Sequence, residues 1–293
     1  MIKKNNKRTH KKRKSFCAPK VKKHGTHKTC YSSKKLRTMR KYWNKRHPDV
    51  KIKTLNPDDI WNELNNNLSH VCLNERCWLE QPFIQKSGNK SLMEHTFVPV
   101  SPNTWKMDPN EWLTSIDIEN VMHQYERAYP EFKFFGPSPI DFSTIMTDGM
   151  CVWEELCKFN LKTELDNNKT KMGFIFNTDP HYLGGSHWIS MFLNIPQRTI
   201  TFFDSVGDKA PSQVKTLMTK IVAQGKRLGI NIKRQSNIIS HQNSNTECGM
   251  YSLYFIIQSI QEHFPIDPLK ERVPDSEMER FRKVFFRPND IKT

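Results

Sequence analysis

The sequence predicts an α+β fold in which a small sheet packs against a buried helix. Three observations carry that prediction. Strand-like runs cluster at 172–176, 188–193 and 199–203, each bounded by turn residues. Amphipathic helical patterns lie on either side of this cluster. The segment 247–260 is apolar on nearly every side, through Met250, Tyr251, Leu253, Tyr254, Phe255, Ile256, Ile257 and Ile260, which marks a helix enclosed by other elements. Strands gathered between helices give α+β.

The elements follow in order. Residues 1–53 hold 21 of the 46 Lys and Arg and one acid, Asp49, a formal +20. The other 240 residues carry 25 basic and 29 acidic side chains, a formal −4, so the net +16 belongs to an N-terminal arm. Residues 1–29 have almost no apolar period and are expected to be disordered, with little apolar surface to offset the entropy of ordering. A helix is predicted from Ser32 to about Lys45, capped by Ser32 or Ser33, with Leu36, Met39 and Trp43 on one face and Pro48 as its stop. A second helix covers 57–68, capped by Asn56, with Ile60, Trp61 and Leu64 on one face. Residues 69–104 show no readable period. A long helix is predicted over 109–129, with Trp112, Leu113, Ile116, Val121 and Met122 inward and Pro130 ending it. Beyond the three strands come a helix over 211–228 with Val214, Leu217, Met218, Ile221 and Val222 inward, and a short strand at 230–232. The enclosed helix and an exposed amphipathic helix over 275–286 complete the chain. The expected domains are a basic arm (1–53), a helical extension (54–104) and a core (105–293).

There are seven cysteines: Cys17, Cys30, Cys72, Cys77, Cys151, Cys157 and Cys248. The odd number, irregular spacing and lack of a signal peptide favour free thiols in a reducing compartment. No apolar run reaches 18 residues, so no membrane partner is expected. Cys17, His24, His27 and Cys30 match no dependable zinc spacing, and neither a metal nor a cofactor is predicted.

Four residues name a chemistry. His187 follows Gly184 and Gly185 at the start of one strand, Asp204 ends the next, and Cys248 opens the enclosed helix. A helix N-terminus favours thiolate over thiol. Two strands joined by the turn at 194–198 would be antiparallel, which brings His187 beside Asp204 and lets the carboxylate orient the imidazole. Gln242, six residues before Cys248, is placed to donate to an oxyanion together with the Cys248 N–H. Each residue alone has a plainer reading: a buried structural cysteine, a satisfied histidine, a strand-end carboxylate, a polar loop amide. Together they fit one geometry, that of a cysteine peptidase. Gly249 offers a substrate close access to the backbone, and Trp188 sits beside the histidine.

Gly184-Gly185-Ser186-His187-Trp188, the hairpin ending Phe203-Asp204-Ser205, and Gln242-x5-Cys248-Gly249 resemble the peptidases that include adenovirus protease and the SUMO-deconjugating proteases. Glu111-Trp112-Leu113-Thr114 resembles the Trp-Leu-Asn/Ser-Asp entry of the SUMO proteases, although Thr114-Ser115 departs from its Asn/Ser-Asp. The resemblance covers roughly residues 105–265. It implies His187 as general base, Asp204 as its orienting partner, Gln242 as oxyanion donor, Cys248 as nucleophile and Trp188 beside the cleft. It also implies cleavage after Gly-Gly in a polyprotein or ubiquitin-like substrate. The character is closest to the maturation proteases of large DNA viruses such as African swine fever virus. Those enzymes process core or capsid precursors, which implies a place in the virion and at the assembly site in the host cytoplasm. A deconjugating protease is the alternative, with the nucleus as its location. Thr29-Cys30-Tyr31-Ser32, Leu36 and Tyr42-Trp43-Asn44 resemble a short SAP-like helical motif. Nucleic acid is therefore a candidate partner of the arm, through Lys11, Lys12, Arg13, Lys14, Lys34, Lys35, Arg37 and Arg40. A third class keeps the triad but transfers acyl groups to an acceptor other than water.

Overall fold

The computed structural model describes residues 16–20, 29–88, 92 and 96–289, which divide into two compact units. The expected disorder of 1–29, and Lys11, Lys12, Arg13 and Lys14 with it, falls largely outside the described residues. Among the described residues no helix is long and apolar enough to cross a membrane.

The smaller unit runs essentially to Val98, so the expected boundary at residue 53 is corrected. Its first helix, α1 (Ser33–Arg46), is capped by the Ser32 hydroxyl, and α2 (Pro57–Leu68) by the Asn56 side-chain amide oxygen. Leu36, Met39 and Trp43 do not belong to a detached arm. They share one core with Ile52, Ile60, Leu64, Trp78 and Phe83, because an apolar stripe three positions long is stable only when another element covers it. Short helices α3 (Arg76–Glu80) and α4 (Pro82–Gln85) fill the stretch that had no readable period. The buried Glu75 carboxylate ties the unit together, accepting from the Cys30 N–H at 2.7 Å and from the Trp61 indole.

The larger unit is built on a five-stranded sheet in the order β1 (Phe132–Pro139), β2 (Lys171–Asn177), β3 (Trp188–Asn194), β4 (Thr199–Phe203), β5 (Lys233–Ser236). β2, β3 and β4 are antiparallel neighbours, while the outer pairs β1–β2 and β4–β5 are parallel. Helices cover both faces, which is why β3 is buried at every position instead of alternating. Along β3, Trp188 and Phe192 join the core containing α5 (Ser115–Ala128) and the enclosed helix. Ile189, Met191 and Leu193 face α6 (Ser212–Arg227). The enclosed helix, α7 (Cys248–Gln261), is buried from Cys248 through Ile260, and the amphipathic α8 (Asp275–Phe285) packs on it. A Cβ at Gly173 would lie 2.8 Å from Ile256 Cγ2, so this glycine lets α7 approach the sheet.

Three element expectations are corrected. The helix predicted from residue 109 begins at Ser115, because Thr114 and Asp117 form a capping box there. Ahead of it Trp112 is exposed, as is Ile116 within the helix, so neither belongs to the inward face. β1 was hidden by its Gly-Pro-Ser-Pro ending, which reads as a breaker. The strand expected at 230–232 lies at Lys233–Ser236, an exposed edge strand whose sequence carries no apolar period.

The expectation of free thiols is also corrected. Cys17–Cys30, Cys72–Cys77 and Cys151–Cys157 are disulfides, with Cα separations of 4.9, 5.4 and 6.3 Å, and Cys248 alone is free. Pairing depends on Cα distance and Cβ direction, which spacing along the chain does not reveal.

Candidate active site

The turn that delivers His187 requires glycine. Gly185 has φ of +90°, and a Cβ there would lie 2.5 Å from Asn177 Nδ2. The Asn177 side-chain oxygen accepts from the N–H groups of Asp179 and Ser186, anchoring both limbs of the turn. The β3–β4 ladder pairs Ser190 with Phe203, and its continuation brings Asp204 alongside the mouth of β3. His187 Nε2 lies 2.7 Å from Asp204 Oδ1. The same oxygen accepts from the Val206 N–H at 3.0 Å. Asn237 fixes the Asp204 backbone from both sides: its Oδ1 accepts the Asp204 N–H at 2.9 Å and its Nδ2 donates to the Asp204 carbonyl at 2.6 Å.

Cys248 is the first residue of α7 and is buried, close enough to the His187 ring to act on its charge. Because Nε2 is taken by Asp204, Nδ1 is the nitrogen left to exchange a proton with the sulfur. Burial works against a charged imidazole. The hydrogen bonds and charges of Asp204 and Cys248 outweigh it and hold the His187 pKa up at about 10. Both neighbours therefore favour the protonated ring, the form His187 takes once it has accepted a proton.

Gln242 is half-buried on the loop entering α7. Its Oε1 accepts from the Ser205 hydroxyl at 2.7 Å, and its backbone N–H donates to the Ser205 carbonyl at 3.0 Å. Immediately before the cysteine, Glu247 forms a buried ion pair with Arg282 at 3.0 Å. The same guanidinium donates to the carbonyls of Asn110 and Glu111 and lies 4.6 Å over the Trp105 ring. The 110–111 segment leads to Leu113, whose carbonyl accepts the Trp188 indole N–H at 2.9 Å. A Cβ at Gly249 would lie 3.0 Å from Leu113 Cβ. The smallness of Gly249 thus serves the packing of Leu113 on α7. A cavity of about 750 Å³ adjoins His187 and Trp188, with Trp112, Met146, Asp179 and Leu183 on its walls.

The structure thus brings His187, Asp204 and Cys248 together and ties Gln242 to Ser205, the residue after Asp204. The sequence reading missed Ser205, Asn237, Glu247 and Arg282. Ser205 had a signal, its position after Asp204; nothing in the sequence marks the other three. In the smaller unit, Lys34 is exposed on α1, whereas three other basic residues are engaged. Lys35 donates to Thr96 Oγ1 at 2.6 Å, Arg40 to the carbonyls of Ile52 and Lys53, and Arg37 to the Leu55 carbonyl at 3.4 Å. Arg40 is therefore a structural clamp rather than a free cation. Among the described residues no cluster of three His, Cys, Asp or Glu could hold a metal ion.

Residues 160–290, which include His187, Asp204, Gln242 and Cys248, match the Ulp1 protease family, C-terminal catalytic domain. A thiol protease of Acanthamoeba polyphaga mimivirus is 32% identical over 184 residues, 62% of this chain and 59% of that protein. The chain therefore spans about three-fifths of that relative's length. The SUMO-1 cysteine protease of African swine fever virus is 29% identical over 233 residues, 74% of this chain and 83% of that protein. In fold, the chain resembles the crystal structure of the African swine fever virus protease, with a TM-score of 0.64 at 21% identity over 94% of this chain and 96% of that one. Residues 160–290 are thus similar to the catalytic domain of the Ulp1 family of cysteine proteases.

Proposed function

We propose that this protein is a cysteine endopeptidase that cleaves after Gly-Gly in polyprotein precursors of a large DNA virus, with Cys248 as nucleophile. The observation that carries this reading is the 2.7 Å contact between His187 Nε2 and Asp204 Oδ1, with the buried Cys248 acting on the same ring. In this reading the Cys248 proton passes to His187 Nδ1 and the sulfur attacks the scissile carbonyl. The oxyanion that forms is held by the Gln242 side-chain amide and the Cys248 N–H. His187 then returns the proton to the leaving amine, a thioester remains on Cys248, and water deprotonated by His187 releases it. Asp204 keeps the ring oriented and balances the imidazolium throughout. The Trp188 indole is tied to the Leu113 carbonyl, and a narrow channel at this edge would admit residues without side chains. The substrates and the location in this reading are those that the sequence resemblance implies: core or capsid precursors, at the assembly site and in the virion.

The test is a panel of short Gly-Gly-x peptides and folded ubiquitin-like fusions, cut by the protein and by Cys248→Ala. Short peptides cut only by the protein with Cys248 are expected. Cleavage restricted to folded fusions would favour a deconjugase, and unchanged cleavage by Cys248→Ala would refute the peptidase reading.

A second reading concerns α1. Lys34, Arg37, Lys41 and Lys45 lie at i, i+3, i+7 and i+11 and are all exposed, opposite the buried Leu36, Met39 and Trp43. We assign this basic face, together with the cations of residues 1–15, to binding the phosphates of nucleic acid as a tether for the protease. Replacing the four residues by Gln should weaken binding to duplex DNA and flatten its salt dependence while peptide cleavage stays unchanged. Equal DNA binding by the variant would sink the assignment.

A further inference from the structure

Asp204 and Ser205 are consecutive, buried, and point to different partners. Asp204 meets His187, while Ser205 meets Gln242. The Ser205 hydroxyl has one proton to donate, and it goes to Gln242 Oε1 at 2.7 Å. That donation determines which end of the amide is which: the oxygen faces Ser205, so the NH₂ group is turned the other way. The Ser205 carbonyl also accepts the N–H groups of His241 at 2.8 Å and Gln242 at 3.0 Å. One residue therefore holds both the backbone and the side chain of Gln242. Asn237 in turn holds the Asp204 backbone on both sides, so the dipeptide has little freedom. A glutamine side chain free to rotate would spend part of its time presenting oxygen, and an oxygen facing a developing oxyanion repels it.

We infer that Ser205 is a positioning residue for the oxyanion: it locks the Gln242 amide with its N–H donors toward the scissile carbonyl, so that the two residues after β4 orient the base and the oxyanion donor together. The inference rests on the proposed role of Gln242. Its effect falls on acylation, where charge develops on the carbonyl oxygen, and not on the reactivity of the Cys248 sulfur, which depends on His187 and Asp204.

The experiment compares the unsubstituted protein with Ser205→Ala, Gln242→Ala and the double variant. Ser205→Gly serves as a second hydroxyl-free variant if alanine lowers the melting temperature. Two readouts are taken: kcat and KM on a Gly-Gly-x peptide, and the alkylation rate of Cys248 by iodoacetamide, which forms no oxyanion. Ser205→Ala should lower kcat about tenfold, with KM and alkylation within about twofold. Gln242→Ala should lower kcat by roughly 10²–10³, and the double variant should be no slower than Gln242→Ala alone. Three results would overturn the inference: turnover of Ser205→Ala within twofold, alkylation falling in step with turnover, or a further tenfold loss in the double variant. A Gln242→Ala enzyme with undiminished kcat would instead remove the oxyanion role of Gln242, and the inference would fall with it.

Discussion

Arg282→Met should be among the most damaging single substitutions in the larger unit. Arg282 and Glu247 are 4% and 1% exposed, so neither charge is solvated by water. Methionine keeps much of the arginine stem's volume but removes the partner of a buried carboxylate. Breaking a buried pair from one side costs about 3–5 kcal/mol. The loss also frees the carbonyls of Asn110 and Glu111, which anchor the segment leading to Leu113. Against a typical domain stability of about 5–15 kcal/mol, this is a large fraction. Urea unfolding at pH 7 measures it. The sign of its pH dependence follows from Glu247. Burial already pushes this carboxyl up, against the opposing pull of Arg282, and without Arg282 it rises further. A raised carboxyl pKa means that protonation relieves the strain, so the deficit of Arg282→Met should shrink as the pH is lowered from 7 to 5. Glu247→Met/Arg282→Met, which removes both charges, should be more stable than Arg282→Met alone. A loss under about 1 kcal/mol, or a deficit that grows on acidification, would refute the reasoning.

Other outcomes follow from the same geometry. His187→Ala should abolish turnover nearly as fully as Cys248→Ala, and Asp204→Ala should cost less because it transfers no proton; single-turnover kinetics rank them. The His187 pKa is raised from 6.5 to about 10, so its contribution to stability is fully present below about pH 6.5 and is lost as the pH rises toward 10. The stability advantage over His187→Gln should fall across that window in denaturant titrations. Gly173→Ala places a methyl 2.8 Å from Ile256 Cγ2 and should cost about 1–3 kcal/mol by overpacking, read from the shift of the urea midpoint.

Much of this protein follows from local chemistry. The enclosed helix was legible because thirteen of its fourteen positions are buried, and such a helix has no polar face to write into the sequence. His187 and Asp204 were legible as neighbours because a tight antiparallel hairpin converts sequence distance into spatial distance by simple counting. Ser32, Asn56 and the breaks at Pro48 and Pro130 marked helix ends because capping is settled within a few residues. Tertiary structure decided the rest. α1 belongs to a folded unit rather than to a loose arm because Ile52, Ile60 and Leu64 cover its stripe, and no local pattern says what a stripe will meet. The three disulfides depend on Cβ positions set by the surrounding chain. Arg282 reaches back across 171 residues to the Glu111 carbonyl, and Ser205 across 37 to Gln242. Sequence records which residues can donate, accept or ionise. Which of them meet is set by packing, since a buried polar group must find its partner wherever the fold brings one.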